Sequence, residues 1–369
     1  MKKFLFLINT LRLGGAEKVL VDTVNSLVDQ GVEITVQTIC NDNIYISELN
    51  PAIKYKSIIN VKSKLLAKCL LSIVVRFFSP KWLYNLFIKD AYDLEVSFLE
   101  GLPTKLIAAS TNKASKKIAW LHTDLIAYPD SYKVFKTEEK EKKAYSKFDA
   151  IACISDGVKD SLIKKYGHIS PEIKTVYNIV DEEKIQELSN EDVKICFERP
   201  LLISVGRLCK VKGYDGLLRV IKRLKEDNIK CDLWIVGEGE ERADLETYIK
   251  ENRLDNVKLL GFKENPYKYM TKADIFISSS IAEGFSMVIT EAVVLGLPVI
   301  STNTVGANEP KEAPRCSIIV KNEDELYIKL KEVLTDEEKM KSLKASILES
   351  QHFLNRDYLL KELKMFFAL

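Results

Sequence analysis

Hydrophobic positions along the chain alternate between two forms: short unbroken apolar runs, and longer stretches where apolar residues recur at helical spacing. The first form reads as strands buried on both faces, the second as helices with one apolar stripe. The chain opens with strand Phe4–Ile8, a Gly14-Gly15 turn and a helix over Ala16–Gln30 that Gly31 stops. VEITVQTI follows as the next strand, which makes a βαβ unit. Further strands are predicted at LEVSFL (94–99), KIAWLH (117–122) and AIACIS (150–155), with helices between them. Such alternation predicts a parallel sheet covered on both faces.

After KTVYNIVD (174–181) comes a polar stretch, EEKIQELSNEDVKICFERP, which marks a domain boundary. The pattern then restarts with strand PLLISVG, helix Tyr214–Asp227, strand CDLWIVG, helix Glu241–Asn252 and strand VKLLG. Helix Tyr267–Lys272, strand DIFISSS, a helix after Ser286 and strand PVISTN complete it, and Thr335–Leu369 reads as helical. The expected architecture is α/β, with two doubly wound Rossmann-like domains at 1–180 and 181–350 facing each other across a cleft. A C-terminal helix at 351–369 is expected to pack back toward the first domain. Ligands of such sheets bind beyond the carboxyl ends of the strands, so the chemistry is sought there.

Composition narrows the class without naming it. A formal net charge of +2 argues against a nucleic-acid-binding surface spread over the whole chain. Seven cysteines are scattered with no CxxC pair, which predicts reduced thiols in a cytosolic protein. The start MKKFLFLINTLRLGGAE runs from a short apolar stretch straight into a glycine turn, which predicts a buried first strand and not a leader peptide. No apolar stretch is long enough to span a bilayer.

One segment raises a chemical question. SSSIAEGFSMVITEAVVLGLPVIST (278–302) places Glu283 on a loop and Glu291 inside the following helix. Gly284 gives the loop backbone freedom, Ser286 reads as the N-cap of helix Met287–Leu295, and Gly296 reads as its stop. The free N–H groups of a helix start attract phosphate. A carboxylate on either side cannot bind that phosphate but can accept hydrogen bonds from hydroxyls. That separation suits a nucleotide sugar, with ribose at one carboxylate and the transferred sugar at the other. Taken alone, a loop Glu and a helix Glu are most often just solvated. Their neighbours add weight: Arg207 and Lys212 lie on the loop after PLLISVG, two cations suited to a diphosphate. Gly237 and Gly239 in WIVGEGEE permit close backbone approach, although a lone GxG is mostly a tight turn.

The set VGRLCKVKG, VGEGEE, LLGF and AEGFSMVITEAVVLGLPVI resembles the nucleotide-sugar domain of family 4 retaining glycosyltransferases of the GT-B fold. The N-terminal half agrees: LGGAEKVLVDTV resembles the family's first glycine loop, and AWLHTD its cleft-facing histidine. NIVD (178–181) departs from it, since many relatives carry a glycine after the Asn where Ile179 stands here. The resemblance implies that Arg207 and Lys212 hold the diphosphate, that Glu291 binds ribose, and that Glu283 contacts the transferred sugar. Gly206, Gly237, Gly239, Gly284, Phe285, Ser286, Met287 and Val288 would complete the nucleotide-sugar site. Gly14 and Gly15 would let a main-chain loop approach the phosphate or sugar, and His122 would contact the donor sugar or acceptor. Arg207, Lys212, Glu283 and His122 are the expected catalytic residues.

The activity implied is transfer of a hexose or N-acetylhexosamine from a nucleoside-diphosphate sugar, with UDP the commonest base in such relatives. The acceptor would be a lipid-linked saccharide in capsule, exopolysaccharide or other surface glycan synthesis. No cofactor is expected, and without an Asp-x-Asp motif at a strand end no metal either. Segment 50–89 holds eight Lys or Arg, no Asp or Glu, and many Leu, Ile, Phe and Trp82. This suits a helix lying on an anionic membrane, though a core helix with a basic face has the same composition. The expected location is cytoplasmic, peripheral on the inner face of the plasma membrane. A non-catalytic sugar-nucleotide or partner-binding scaffold is the alternative. A nicotinamide dehydrogenase is disfavoured, because INTLRLGGAEKV lacks the G-x-G-x-x-G spacing.

Overall fold

The computed structural model describes residues 1–12, 14–41, 44–60, 77–127, 129–193, 200–307, 309, 317–350 and 356–368. Its chain divides into two compact units, Met1–Ile179 with Asp357–Leu369, and Val180–Arg356.

The first unit holds a seven-stranded sheet. Its strands are β1 (Lys2–Ile8), β2 (Val32–Cys40), β3 (Lys54–Ile59), β4 (Leu94–Ser97), β5 (Lys116–Leu121), β6 (Ala150–Cys153) and β7 (Glu172–Thr175). Their order is β3-β2-β1-β4-β5-β6-β7, and every pairing is parallel. The run Phe4–Ile8 is wholly buried because β1 lies between β2 and β4. The first helix spans Gly15–Leu27 and tightens into a 3-10 turn at Val28–Gln30, and Gly31 then turns the chain at φ 69°. The helix Arg356–Phe367 seats Phe367 edge-on to Phe4 and Phe6, at centroid distances of 5.9 and 6.0 Å.

The second unit holds six parallel strands: β8 (Leu201–Val205), β9 (Asp232–Val236), β10 (Val257–Gly261), β11 (Ile275–Ser278), β12 (Val299–Thr302) and β13 (Ser317–Val320). Their order is β10-β9-β8-β11-β12-β13. Helix Tyr214–Glu226 places Leu217, Leu218, Ile221 and Leu224 on one side of the sheet, while helix Met287–Val294 packs Ile289, Ala292 and Val293 on the other. Two apolar layers thus cover one sheet, as a doubly wound domain requires.

Three strands lie outside the sequence expectations: β3, β7 and β13. The expected membrane helix over 50–89 is therefore corrected in part. Its Lys54–Ile59 portion is an edge strand, its Pro80–Phe87 portion is a helix, and 61–76 lie outside the described residues. Among the described residues no helix is long and apolar enough to cross a membrane. Cys153 and Cys209 are free thiols, Cys40 is half-buried and Cys231 buried, and Cys69, Cys196 and Cys316 lie outside the described residues.

Candidate functional site

In an open parallel sheet the strand order reverses at one place, and the loops leaving the strands there diverge into a crevice. In the second unit that place lies between β8 and β11. The loop leaving β8 carries Gly206, Arg207 and Lys212, and the loop leaving β11 carries Glu283.

These two loops are fastened to each other through main chain. The Ile281 N–H donates to the Val211 carbonyl at 2.7 Å, and Ser279 Oγ donates to the Lys212 carbonyl at 2.8 Å. Gly213 turns the chain between them at φ 62°, and a methyl group there would lie 2.3 Å from the Ser279 carbonyl oxygen. Only glycine fits this corner. Beyond it, Lys212 Nζ donates to the Glu283 carboxylate, and Ser280 Oγ donates to the same oxygen at 2.8 Å. Both partners of this ion pair are largely covered. The Lys212 stem lies along Gly206, next in sequence to Arg207. Arg207 itself is two-thirds exposed and pairs with Glu240 at 2.9 Å.

The loop leaving β9 closes from the other side. A methyl at Gly237 would sit 1.9 Å from the Gly206 carbonyl, and one at Gly239 would sit 2.2 Å from the Leu208 carbonyl. Both glycines are used for packing the β9 loop onto the β8 loop, a role that a lone GxG predicts more readily than ligand contact. Past Glu283, the Gly306 N–H donates to the Glu283 carbonyl at 3.0 Å, and Gly306 lies against the Gly284-Phe285 backbone.

Helix Met287–Val294 starts beside this loop. Ser286 occupies its N-cap position, but the side chain makes no capping bond, contrary to the expectation from sequence. Its hydroxyl is buried without a hydrogen-bond partner. The Ser286 hydroxyl is thus a buried donor left unpaired beside the helix start. Glu291 lies one turn in, buried, and accepts from Tyr267 Oη at 3.1 Å. Tyr267 was not singled out in the sequence; it comes from the short helix Tyr267–Met270.

The switch point of the first unit lies between β1 and β4. Gly14 and Gly15 follow β1, but they differ. A methyl at Gly14 would collide with the Glu17 carboxylate at 2.2 Å, whereas one at Gly15 meets nothing within 4 Å. The loop leaving β4 carries Glu100, which sequence reading passed over. One carboxylate oxygen accepts the His122 N–H at 2.6 Å, the Thr123 N–H at 2.8 Å and the Thr123 hydroxyl at 3.1 Å. Glu100 thereby fixes the turn that leaves β5. Burial raises its carboxyl above the usual range, and those hydrogen bonds oppose the rise. The available signal was a carboxylate at the carboxyl end of the predicted strand LEVSFL.

His122 lies in that turn with its ring packed on Phe98 at 4.8 Å. Burial pushes its pKa down to about 3, so the ring is neutral at physiological pH. Its Nε2 is buried with no hydrogen-bond partner.

A pair of doubly wound domains, the second carrying lysine, arginine and a helix start at its switch point, defines the GT-B class. Residues 13–184 match the family described as Glycosyltransferase Family 4, and residues 186–348 match Glycosyl transferases group 1. The two matches together take in nearly the whole of 13–348, and the chain belongs to the family 4 glycosyltransferases that they describe. It is similar to an N-acetylgalactosamine-N,N'-diacetylbacillosaminyl-diphospho-undecaprenol 4-alpha-N-acetylgalactosaminyltransferase of Campylobacter jejuni, at 35% identity over 54% of each chain. It is also similar to the lipopolysaccharide core biosynthesis glycosyltransferase LpsE of Rhizobium meliloti, at 26% identity over 43% of this chain and 45% of that one. The matched regions thus span about half the length of these curated relatives. The fold is shared with Anabaena HepE in complex with UDP, at TM-score 0.74 and 18% identity over the whole of both chains.

Proposed function

We propose that the chain transfers a hexose or N-acetylhexosamine from a nucleoside-diphosphate sugar, with UDP as the nucleotide, to a hydroxyl of a lipid-linked saccharide. The product belongs to capsule, exopolysaccharide or another surface glycan. The observation that carries this reading is the Lys212–Glu283–Ser280 cluster at the switch point of the second unit. It sets a cation and a hydroxyl-binding carboxylate side by side, as a diphosphate joined to a sugar demands. The Campylobacter relative is named for a diphospho-undecaprenol acceptor, and Anabaena HepE holds UDP, which supports the choice of substrates.

In this reading Lys212 and Arg207 take the diphosphate, with the first turn of helix Met287–Val294 donating N–H groups to it. Glu291 accepts the ribose hydroxyls and Glu283 those of the transferred sugar. Gly14 and Gly15 let a main-chain loop approach the phosphate or the sugar, and His122, in the turn that Glu100 holds, contacts the donor sugar or the acceptor. The anomeric carbon–oxygen bond to phosphate breaks while the bond to the acceptor oxygen forms on the same face. The acceptor proton passes to the departing phosphate oxygen, and configuration is retained. Charge grows on the diphosphate, so fixed cations lower the barrier. The reading assigns that task to the chain's own residues and not to a metal. Activity that EDTA abolishes and Mn²⁺ restores would overturn this assignment.

The same reading places the protein on the cytoplasmic face of the membrane, where its acceptor lies, through the helix Pro80–Phe87 of segment 54–89. The direct test incubates the protein with radiolabelled UDP-, GDP- and ADP-sugars and a lipid-diphosphate saccharide. Labelled lipid product from a UDP-sugar is expected. Nucleotide binding with no transfer to any acceptor would favour the scaffold instead.

A further inference from the structure

Helix Pro80–Phe87 carries apolar side chains on two opposite faces, and only one of them is used by the fold. On the inner face Leu83 and Tyr84 are buried, and Tyr84 Oη donates to Glu95 Oε1 at 2.8 Å inside the core. Gln37 Nε2 donates to the Phe87 carbonyl at 3.0 Å, and Ser79 Oγ caps the helix by accepting the Trp82 N–H at 3.2 Å. The helix is therefore pinned at its start, middle and end.

The outer face is exposed: Lys81, Trp82, Asn85 and Leu86 recur there at helical spacing, with exposed Phe78 just before the helix and exposed Lys89 just after it. The Phe78 and Trp82 rings stack on each other at 4.3 Å with 18° between their planes, in solvent. Trp82 is 46% exposed, whereas Trp120 and Trp234 are 1% and 5% exposed. This stripe contains no carboxylate, and Asp90 just beyond it is engaged by Lys56. A pinned helix that shows stacked aromatics to water is carrying an unspent apolar surface.

We propose that this face is a lipid-contact surface. Phe78, Trp82 and Leu86 enter the boundary between headgroups and acyl chains of an anionic bilayer, and Lys81 and Lys89 meet lipid phosphates. Aromatic rings favour that depth, and flanking lysines are drawn to anionic lipid. Lysine is depleted from protein–protein interfaces, which argues for lipid over a protein partner. The inference rests on the membrane-borne acceptor proposed above, and it names the residues that make the contact.

Trp82 supplies its own probe, because the other two tryptophans are buried. The full-length protein is mixed with phosphatidylglycerol vesicles, plain phosphatidylcholine vesicles, and phosphatidylglycerol vesicles carrying brominated lipid. Anionic vesicles should shift the Trp82 emission to the blue, and brominated lipid should quench it. Phe78→Ala with Leu86→Ala keeps the probe and should weaken partition roughly tenfold or more. Lys81→Glu with Lys89→Glu should abolish the preference for anionic lipid. Unchanged emission with anionic vesicles, wild-type partition by both variants, or a blue shift on concentrating the protein without lipid would overturn the proposal. Transfer to a short-chain, water-soluble lipid-diphosphate acceptor separates the two claims. Transfer without vesicle binding sinks the lipid surface alone, while vesicle binding without transfer to any acceptor sinks the proposed activity alone.

Discussion

Lys212 and Glu283, 71 residues apart in sequence, form a largely covered ion pair between the two loops that flank the switch point of the second unit. Each is the counter-ion of the other until a ligand arrives. In the proposed function a diphosphate offers Lys212 a second anion, and Glu283 is then left to a hydroxyl. Replacing Glu283 by Gln removes the competing anion while keeping the shape. UDP should therefore bind a few-fold more tightly to Glu283→Gln, while turnover falls about tenfold or more. Calorimetry with UDP and steady-state transfer assays read the two effects separately. Looser UDP binding by the variant would show that the pair does not compete with phosphate.

Lys212 and Arg207 should differ in what they do for stability. Lys212→Ala strands a mostly buried carboxylate, at a cost of about 1–3 kcal/mol. Arg207 is largely exposed, so its loss should leave the melting temperature nearly unchanged. Both should lower kcat by roughly 10²-fold if, as proposed, both cations stabilise the leaving diphosphate. Melting curves and transfer rates of the two variants check this pattern.

The glycines divide in the same way. Gly213→Ala and Gly237→Ala each drive a methyl into a neighbouring carbonyl oxygen, and both positions have positive φ. Each should destabilise the chain by roughly 1–3 kcal/mol. Gly15→Ala meets open space and should leave stability intact. If that loop admits a substrate, Gly15→Ala should raise KM without shifting the melting temperature.

His122 makes stability depend on pH. Its folded pKa is depressed, so the unfolded chain binds a proton that the folded chain refuses. The stability it contributes is full above about pH 6.5 and is lost as pH falls toward its folded value. At pH 5 the loss is about 2 kcal/mol. Burial has raised the Glu100 carboxyl, which acts in the opposite sense and favours the folded state at low pH. His122→Gln should flatten the fall in melting temperature between pH 7 and pH 5. A parallel curve for the variant would place the acid sensitivity elsewhere.

The strands that could be read in the sequence and those that could not differ in position. Buried strands such as β1, β8 and β11 are near-continuous apolar runs. The strands missed are all at sheet edges: β3 (KYKSII), β7 (EIKT) and β13 (SIIV). An edge strand is covered incompletely and tolerates lysine and glutamate, so β3 and β7 lose the continuous apolar signature. β13 is apolar and as short as the legible β11, but at the edge three of its four residues are only half-buried. At the candidate site, charges and glycines flanking strong strands were legible. Glu100 and Tyr267 were not, because their relevance arises from the partners that folding brings to them.

The central claim is that the loops holding Lys212 and Arg207 grip a nucleoside diphosphate. Thermal unfolding of the full-length protein with UDP, and with uridine as control, tests it most directly. UDP at 100-fold its Kd should add about 2.7 kcal/mol of stability, uridine far less, and Lys212→Ala should lose most of the gain. If no nucleoside diphosphate raises the melting temperature, or if Lys212→Ala responds to UDP as the wild type does, the account is contradicted.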